Sequence, residues 1–347
     1  MKTEGKVSYC RGLRPAQLTS RTSSIVSRSW FYDRTLSKSS SEEVALHSKI
    51  LRLTDLEAMV ETMQYTVFHK IILGLNKLDL KQQLEHSTAT LDDNDSEGYS
   101  ALWWASARGD SEAVRLLLWY GASLGNKCKA LHGPLHVATT PEVVRILLEY
   151  GADVDTRDSK GRTPLHCWCY KGEERGGSVD ICKAFLDHGA DVNARTREGH
   201  TPLYYASSYG RDELLPLLLC RGAQMELRKY ADGHTALMGA IQCRYATTAR
   251  FLIENGADYT AKTSRNESIL HICARNGDLA IVQVLTAAKL SCLDADAKDA
   301  FGMTARECLD ERSVKSTEIT IAMEALLCSV QDCSVIELDE TNDETDT

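Results

Sequence analysis

The side chains best suited to metal binding lie between residues 132 and 169. His132 and His136, followed about thirty residues later by Cys167 and Cys169, are ligand types that zinc takes in proteins. A simpler interpretation is that the two cysteines are small, apolar side chains of a packed helix. On this interpretation we predict no metal and no cofactor.

A calcium site is the second chemistry that the sequence suggests. Residues 93–98, Asp-Asn-Asp-Ser-Glu-Gly, match the first half of an EF-hand loop, but Trp104 occupies the twelfth position, where calcium needs a bidentate Glu. A second segment, which begins at Asp294, also starts like an EF-hand loop, but Lys298 stands at its fifth position, where calcium needs an oxygen ligand. Both segments are therefore interpreted as turns. The sequence also lacks H-E-x-x-H, P-loop and G-x-G-x-x-G motifs, and we predict that the chain is not an enzyme.

The elements that position these residues follow from an internal repeat. One motif, best seen as RTPLHCWCYKG from Arg162 and HTPLYYASSYG from His200, recurs eight times with a mean spacing of 34 residues at its proline position. That position is held by Val67, Ala101, Pro134, Pro164, Pro202, Ala236, Ile269 and Ala305. A Gly-Ala pair recurs between these copies, for example at Gly121 and Gly151.

Each repeat has the features of a helix-turn-helix unit. Thr163 can cap a helix that begins at Pro164, where the missing N–H costs nothing. The second helix, as in EAVRLLLWYG, has apolar residues at helical spacing and ends at a glycine such as Gly121. A single unit buries its apolar face only against its neighbours, so the sequence predicts an all-α solenoid.

This pattern resembles the ankyrin repeat, with its period of about 33 residues and its T-P-L-H-x-A signature. The segment SILHICARNGDLAIVQVL is similar to ankyrin proteins of filamentous fungi in particular. The resemblance implies a solenoid with projecting finger loops and degenerate capping units. It also implies that the histidines of the repeat bond to backbone between units. These are His69, His136, His166 and His271.

Four segments are expected along the chain. Residues 1–41 are a basic tail with a net charge of +6, residues 42–65 form short helices, residues 66–330 form about eight units, and residues 331–347 are an acidic disordered tail with a net charge of −7. A mitochondrial transit peptide is the alternative for the basic tail, but its apolar residues form no clean stripe. Pro216 should kink a second helix or shift its start.

A row of cations is the candidate partner-binding site. Six residues before the capping position of each unit the sequence has a Lys or Arg: Lys127, Arg157, Arg195, Lys229, Lys262 and Lys298. In two units an Asp follows the cation directly, Asp158 or Asp299. The alternative interpretation is that these cations are only a common feature of ankyrin repeats, each neutralised by such a neighbouring Asp. The other four cations have no such neighbour, and we expect them to bind an acidic or phosphorylated protein segment, with the chain's own acidic tail as a competitor.

These features favour a non-enzymatic protein-protein interaction module, a scaffold or adaptor. What ankyrin proteins do implies a transcriptional coregulator as one form of this function, and a recognition subunit of a complex such as a ubiquitin ligase is the alternative. The net charge of −9 argues against direct nucleic-acid binding. No apolar run reaches the ~20 residues of a membrane span. The twelve scattered cysteines suggest a reducing compartment, so we expect a monomer in the cytoplasm or nucleus.

Overall fold

The computed structural model describes residues 63–170, 178–288, 290, 293–312 and 316–342. Within these residues the chain forms sixteen α-helices and no β-strand, only an isolated bridge between Asn94 and Ser100. The helices are α1 Val67–Ile72, α2 Leu80–His86, α3 Ala101–Arg108, α4 Ser111–Trp119, α5 Pro134–Val137, α6 Pro141–Glu149, α7 Pro164–Tyr170, α8 Ser178–Asp187, α9 Pro202–Ser208, α10 Leu215–Cys220, α11 Ala236–Gln242, α12 Ala246–Glu254, α13 Ile269–Asn276, α14 Leu279–Ala287, α15 Ala305–Asp310 and α16 Thr317–Asn342.

Consecutive helices pair into eight units, numbered 1 to 8 from α1–α2 to α15–α16. The first helix of a unit packs on the first helices of its neighbours. The second helices form a layer of their own, in which the 3₁₀ turn Asp212–Leu214 of unit 5 makes the contact with α8. Each unit therefore closes its apolar side only against adjacent units, as a solenoid requires. The predicted all-α solenoid is confirmed.

Local sequence explains where the helices begin and turn. The hydroxyl groups of Ser100 and Thr201 accept hydrogen bonds from the backbone N–H groups of Trp103 and Tyr204, at 3.2 and 3.1 Å, and so cap α3 and α9. Between α3 and α4 the chain turns at Gly109, whose φ of 75° is in the left-handed region.

The core runs between the two helix layers along the whole stack. Its largest fully buried side chains include Leu102, Leu165, Trp168, Phe185 and Leu203. Four of these come from the first helices of units 2, 4 and 5, which places the repeated Pro-Leu-His segment at the contact between units.

The departures from the repeat have structural consequences. Pro216 lies in the first turn of α10, and a 3₁₀ turn at Asp212–Leu214 precedes it, so the proline shifts the helix start. The repeat region was expected to end at residue 330, but its last helix continues to Asn342, into the segment expected to be a disordered tail. The expectations for residues 1–62 lie outside the described residues, as do residues 173–177, the five by which the fourth repeat exceeds the usual length between its two helices.

Candidate protein-binding surface

Loops before the first helices of units 3 to 8 form a continuous row, here called the finger row. Its members are residues 127–132, 157–162, 195–200, 228–234, 262–267 and 298–303. Each tip donates a backbone hydrogen bond to the preceding tip, as from Ser159 N–H to the Ala130 carbonyl at 3.0 Å and from Tyr230 N–H to the Glu198 carbonyl at 2.9 Å. The same bond links the other neighbours, so the fingers form one ordered edge.

The finger row is basic although the protein is acidic. Its six loops carry twelve Lys and Arg residues and five Asp and Glu residues, whereas the whole chain has a net charge of −9. Three of these carboxylates are buried, those of Asp158, Glu267 and Asp299. The exposed charge along this edge is therefore mostly positive.

The two arginines of the predicted row hold fingers together. Arg157 donates to the Gly161 carbonyl at 3.0 Å and to the Arg195 carbonyl of the next finger at 2.6 Å. Arg195 repeats the contact one unit later, with the Arg228 carbonyl, and its guanidinium carbon lies 4.2 Å from the centre of the Tyr230 ring. Because these guanidinium N–H groups donate to carbonyls of the fingers, fewer of them are available to hydrogen-bond a ligand.

Lys229 was expected to lack a local acidic partner, but it pairs with Asp232. Its Nζ lies 3.0 Å from the Asp232 carboxylate, with only 18% of the Lys229 side chain exposed. The prediction that this lysine lacks a local acidic partner is wrong, because a carboxylate three residues later was overlooked. Asp232 also accepts from His234, and although burial opposes it, these contacts hold the pKa of Asp232 well below its usual range.

Lys127, Lys262 and Lys298, the other predicted cations, are exposed on the row. The structure places two more cations at the finger tips, Arg197, which the sequence already indicated as extra charge near the row, and Lys160, which the repeat spacing did not reveal. Tip residues could have been found by reading two or three positions past each Lys or Arg. These five are here called the exposed cation set of the finger row. Four other cations of the row are exposed as well but have contacts of their own: Lys129 lies 3.6 Å from Glu97, Arg157 and Arg228 donate to the next finger, and Arg265 lies over the Phe301 ring.

The repeated histidines have structural roles, as predicted. Nδ1 of His166 accepts from the Thr163 backbone N–H at 3.2 Å, and its Nε2 donates to the His200 carbonyl of the next unit at 3.1 Å. His69, His136 and His271 make the same two contacts. Burial lowers the pKa of His166 to about 4 despite that carbonyl bond, so the imidazole is neutral at physiological pH.

The candidate zinc ligands do not converge as a group. His132 Nε2 lies 3.1 Å from Asp158 Oδ2, and Cys167 lies close to both, but His136 bonds elsewhere. Arg162 donates to the same Asp158 oxygen at 2.6 Å. Although burial alone would raise it, hydrogen bonds from His132 and Arg162 hold the pKa of Asp158 well below its usual range. The protein's own guanidinium thus balances the charge of this cluster.

Asp95, from the EF-hand-like segment, is buried and fully used by the chain. Its carboxylate accepts from the Glu97 and Tyr99 backbone N–H groups at 3.0 and 2.9 Å and from Trp104 Nε1 at 3.0 Å. The segment is therefore the turn predicted from the sequence, and it fixes the start of unit 2.

A G-x-S-x-G spacing, overlooked in the sequence analysis, occurs at Gly121–Gly125. In hydrolases this motif needs a strand before the serine and a helix after it. Here it follows α4, and Ser123 Oγ accepts from the Gly125 N–H at 3.2 Å while the Ser123 N–H donates to Asp92 at 2.8 Å. Ser123 is part of a loop turn and has none of the geometry of a nucleophile.

Aromatic side chains form a strip beside the finger row in units 4 to 6. The ring of His200, at the base of a finger, lies 5.2 Å from that of Tyr205, which is 6.2 Å from Tyr209 and 5.9 Å from Tyr170. Tyr230, at a finger tip, is 61% exposed and Tyr209 is 46% exposed. Sequence reasoning missed this strip, because its members come from three units and from both a loop and a helix.

Comparisons with known proteins agree with the architecture. A family model described as ankyrin repeats (3 copies) matches residues 68–158, 140–229 and 226–299. The ankyrin repeat domain of Bcl-3, described as a unique member of the IkappaB protein family, is similar with a TM-score of 0.53 and 26% identity, covering 66% of this chain and all of that domain. Protein fem-1 homolog A-like of Mus musculus is 38% identical over 72 residues, 21% of this chain, which spans only about a tenth of that protein. Among the described residues, no helix is both long and apolar enough to cross a bilayer.

Proposed function

We propose that this chain, which belongs to the ankyrin-repeat family, is a non-enzymatic adaptor whose finger row binds an anionic segment of a protein partner. The observation that carries the proposal is the exposed cation set, Lys127, Lys160, Arg197, Lys262 and Lys298, on an edge ordered by backbone hydrogen bonds. An edge that is already ordered loses little conformational entropy when a ligand binds. The positive side chains along it repel one another, and an anionic ligand relieves this repulsion, which favours binding.

The partner is an extended anionic segment, because the fingers are spaced as units of a stack, on the order of 10 Å apart. Aspartate and glutamate, or phosphorylated serine, supply the same chemistry to lysine and arginine. A nuclear coregulator and a recognition subunit of a ubiquitin ligase would each need such a surface to bind a protein segment. Coregulation is our first choice and the subunit role is the second.

The test is partner capture from native cells with the full chain at low and at high salt. The test variant has Lys127, Lys160 and Lys262 changed to Glu, and its charge-matched control has Arg145, Lys183 and Arg250 changed to Glu. Transcription factors captured by the wild type at low salt, and lost with the variant, support the coregulator. Capture of the core subunits of a ligase supports the second role. If the same partners are captured at low and high salt, and equally by the wild type and the variant, the finger-row proposal is overturned.

A further inference from the structure

We infer that the aromatic strip of units 4 to 6 is a second, apolar half of the partner site, which takes an aromatic or aliphatic side chain carried by the anionic segment. The strip consists of Tyr170, His200, Tyr205, Tyr209 and Tyr230. This inference rests on the proposed function and adds to it the composition of the partner segment.

The strip is continuous with the finger row. His200 follows the tip residues Arg197 and Glu198 in one finger, and its ring lies 4.9 Å from Tyr204 and 5.2 Å from Tyr205. Tyr205 then leads along the first-helix layer to Tyr209, near the end of α9. A segment that lies across the fingers of units 4 and 5 thus reaches these rings without leaving the surface.

Tyr230 is the member of the strip that lies at a finger tip, and its ring is held in place by two contacts. Its ring packs on Gly199, where an added Cβ would lie 2.8 Å from the ring, and lies under the Arg195 guanidinium. Because this stack holds the ring in one place, binding against Tyr230 costs little side-chain entropy. Despite these contacts the ring is 61% exposed.

The composition and position of the strip favour a protein ligand. Tyrosine and arginine are enriched where truncation costs the most binding energy, and such residues cluster near the centre of an interface. Units 4 to 6 are the middle of the eight units. Elsewhere on the first helices, Gly239 takes the place that Tyr205 has one unit earlier, and Gln242 and Arg275 are polar. The finger tip of unit 8 also carries an exposed ring, Phe301, which is 67% exposed, but the ring cluster that contains the exposed Tyr209 lies in units 4 and 5.

Basic grooves with aromatic rings also bind single-stranded nucleic acid by stacking. Here the rings of Tyr170, Tyr205 and Tyr209 tilt against one another by 33 to 53°. Their faces pack within the cluster, so successive bases find no row of parallel faces to stack on. An apolar side chain needs only the exposed edges.

The experiment compares two fluorescein-labelled acidic peptides of equal length and charge, one with a central Phe and the other with Ala. Fluorescence anisotropy with the full chain at low salt measures their dissociation constants. We expect the Phe peptide to bind about tenfold more tightly. Tyr209→Ala and Tyr230→Ala, each at an exposed ring, should remove most of that difference and leave binding of the Ala peptide unchanged. Tyr150→Ala is the matched control, because Tyr150 is 42% exposed but lies in the second-helix layer.

The outcomes separate this inference from the proposed function. Equal affinity for the two peptides overturns the apolar half of the site and leaves the charged half standing. Failure of both peptides to bind at low salt overturns the proposed function itself. Tighter binding of an oligo-dT strand than of the Phe peptide, with the same loss in the Tyr209 and Tyr230 variants, overturns the choice of a protein ligand. Thermal unfolding of each variant shows that it is folded.

Discussion

The guanidinium carbon of Arg195 lies 4.2 Å from the centre of the Tyr230 ring in the next finger. Arg195 also donates to the Arg228 carbonyl of that finger. Of the two residues, the arginine ties the fingers together and the tyrosine is the more exposed. Changing Arg195 would therefore disturb the row itself, and a test of partner binding is better made at cations without such contacts.

Charge reversal at the exposed finger cations should weaken anionic ligands selectively. The variant Lys127→Glu, Lys160→Glu, Lys262→Glu should bind an acidic peptide at least about tenfold more weakly at low salt, since it places like charges along the path of the ligand. Arg145→Glu, Lys183→Glu, Arg250→Glu makes the same change in net charge in the second-helix layer and should have little effect. Equal loss in the two triple variants would show that only net charge matters.

Truncation of Leu165 should destabilise the centre of the stack. The side chain is fully buried, so Leu165→Ala should lower the free energy of unfolding by about 2–5 kcal/mol. Because each unit contacts only its neighbours, urea unfolding should also split into more than one phase. Leu78→Ala, at a residue that is 53% exposed, should change the free energy by less than about 0.5 kcal/mol. An unchanged midpoint for Leu165→Ala would contradict its place in the core.

His166 should make stability fall in mild acid. Burial lowers its folded-state pKa from 6.5 to about 4, so protonation favours the unfolded chain. The stabilisation is complete above pH 6.5 and is lost as the pH falls toward 4. From the two pKa values the loss is about 2 kcal/mol at about pH 5. His166→Gln should reduce the difference in stability between about pH 7 and about pH 5 by that amount, measured by urea unfolding.

His86→Gln, at an exposed histidine, is the control for the acid effect. If the control and His166→Gln show the same pH dependence as the wild type, protonation of the His166 imidazole does not limit stability. Burial also lowers the pKa of His69 in unit 1 and of His200 in unit 5, so these two imidazoles would then be the next groups to test by substitution.

Gly199 and Gly222 allow the effect of crowding at a finger tip to be isolated. Both have a φ of 84°, so alanine at either position pays the left-handed backbone cost of about 1–2 kcal/mol. At Gly199 the new Cβ would also lie 2.8 Å from the Tyr230 backbone nitrogen, whereas nothing lies within 4 Å at Gly222. Gly199→Ala should therefore lose about 1 kcal/mol more, as the hydrogen bond from Tyr230 to Glu198 is disturbed. Equal losses in urea unfolding would contradict the packing of Tyr230 on Gly199.

Sequence alone determined the repeated elements of this protein. Thr163 and Pro164 specify a helix start by local chemistry, and the apolar spacing before Gly121 specifies a helix and its end. Such signals involve residues within one or two turns of each other, so they can be read without a structure. The structural role of His166 was also predicted, because the resemblance to the ankyrin repeat implies it for the histidine of each unit.

Only the tertiary structure decided which residues of the candidate site are available. Arg157 and Lys262 occupy equivalent positions in the repeat and both are exposed, yet the Arg157 guanidinium donates to the Arg195 carbonyl of the next finger. Tyr205 and Tyr230 are 25 residues apart in different units, yet the Tyr205 ring lies beside His200 and the Tyr230 ring packs on Gly199, the residue directly before it. Contacts between units depend on the side chains of two loops at once, and the spacing within one repeat carries no information about that pair.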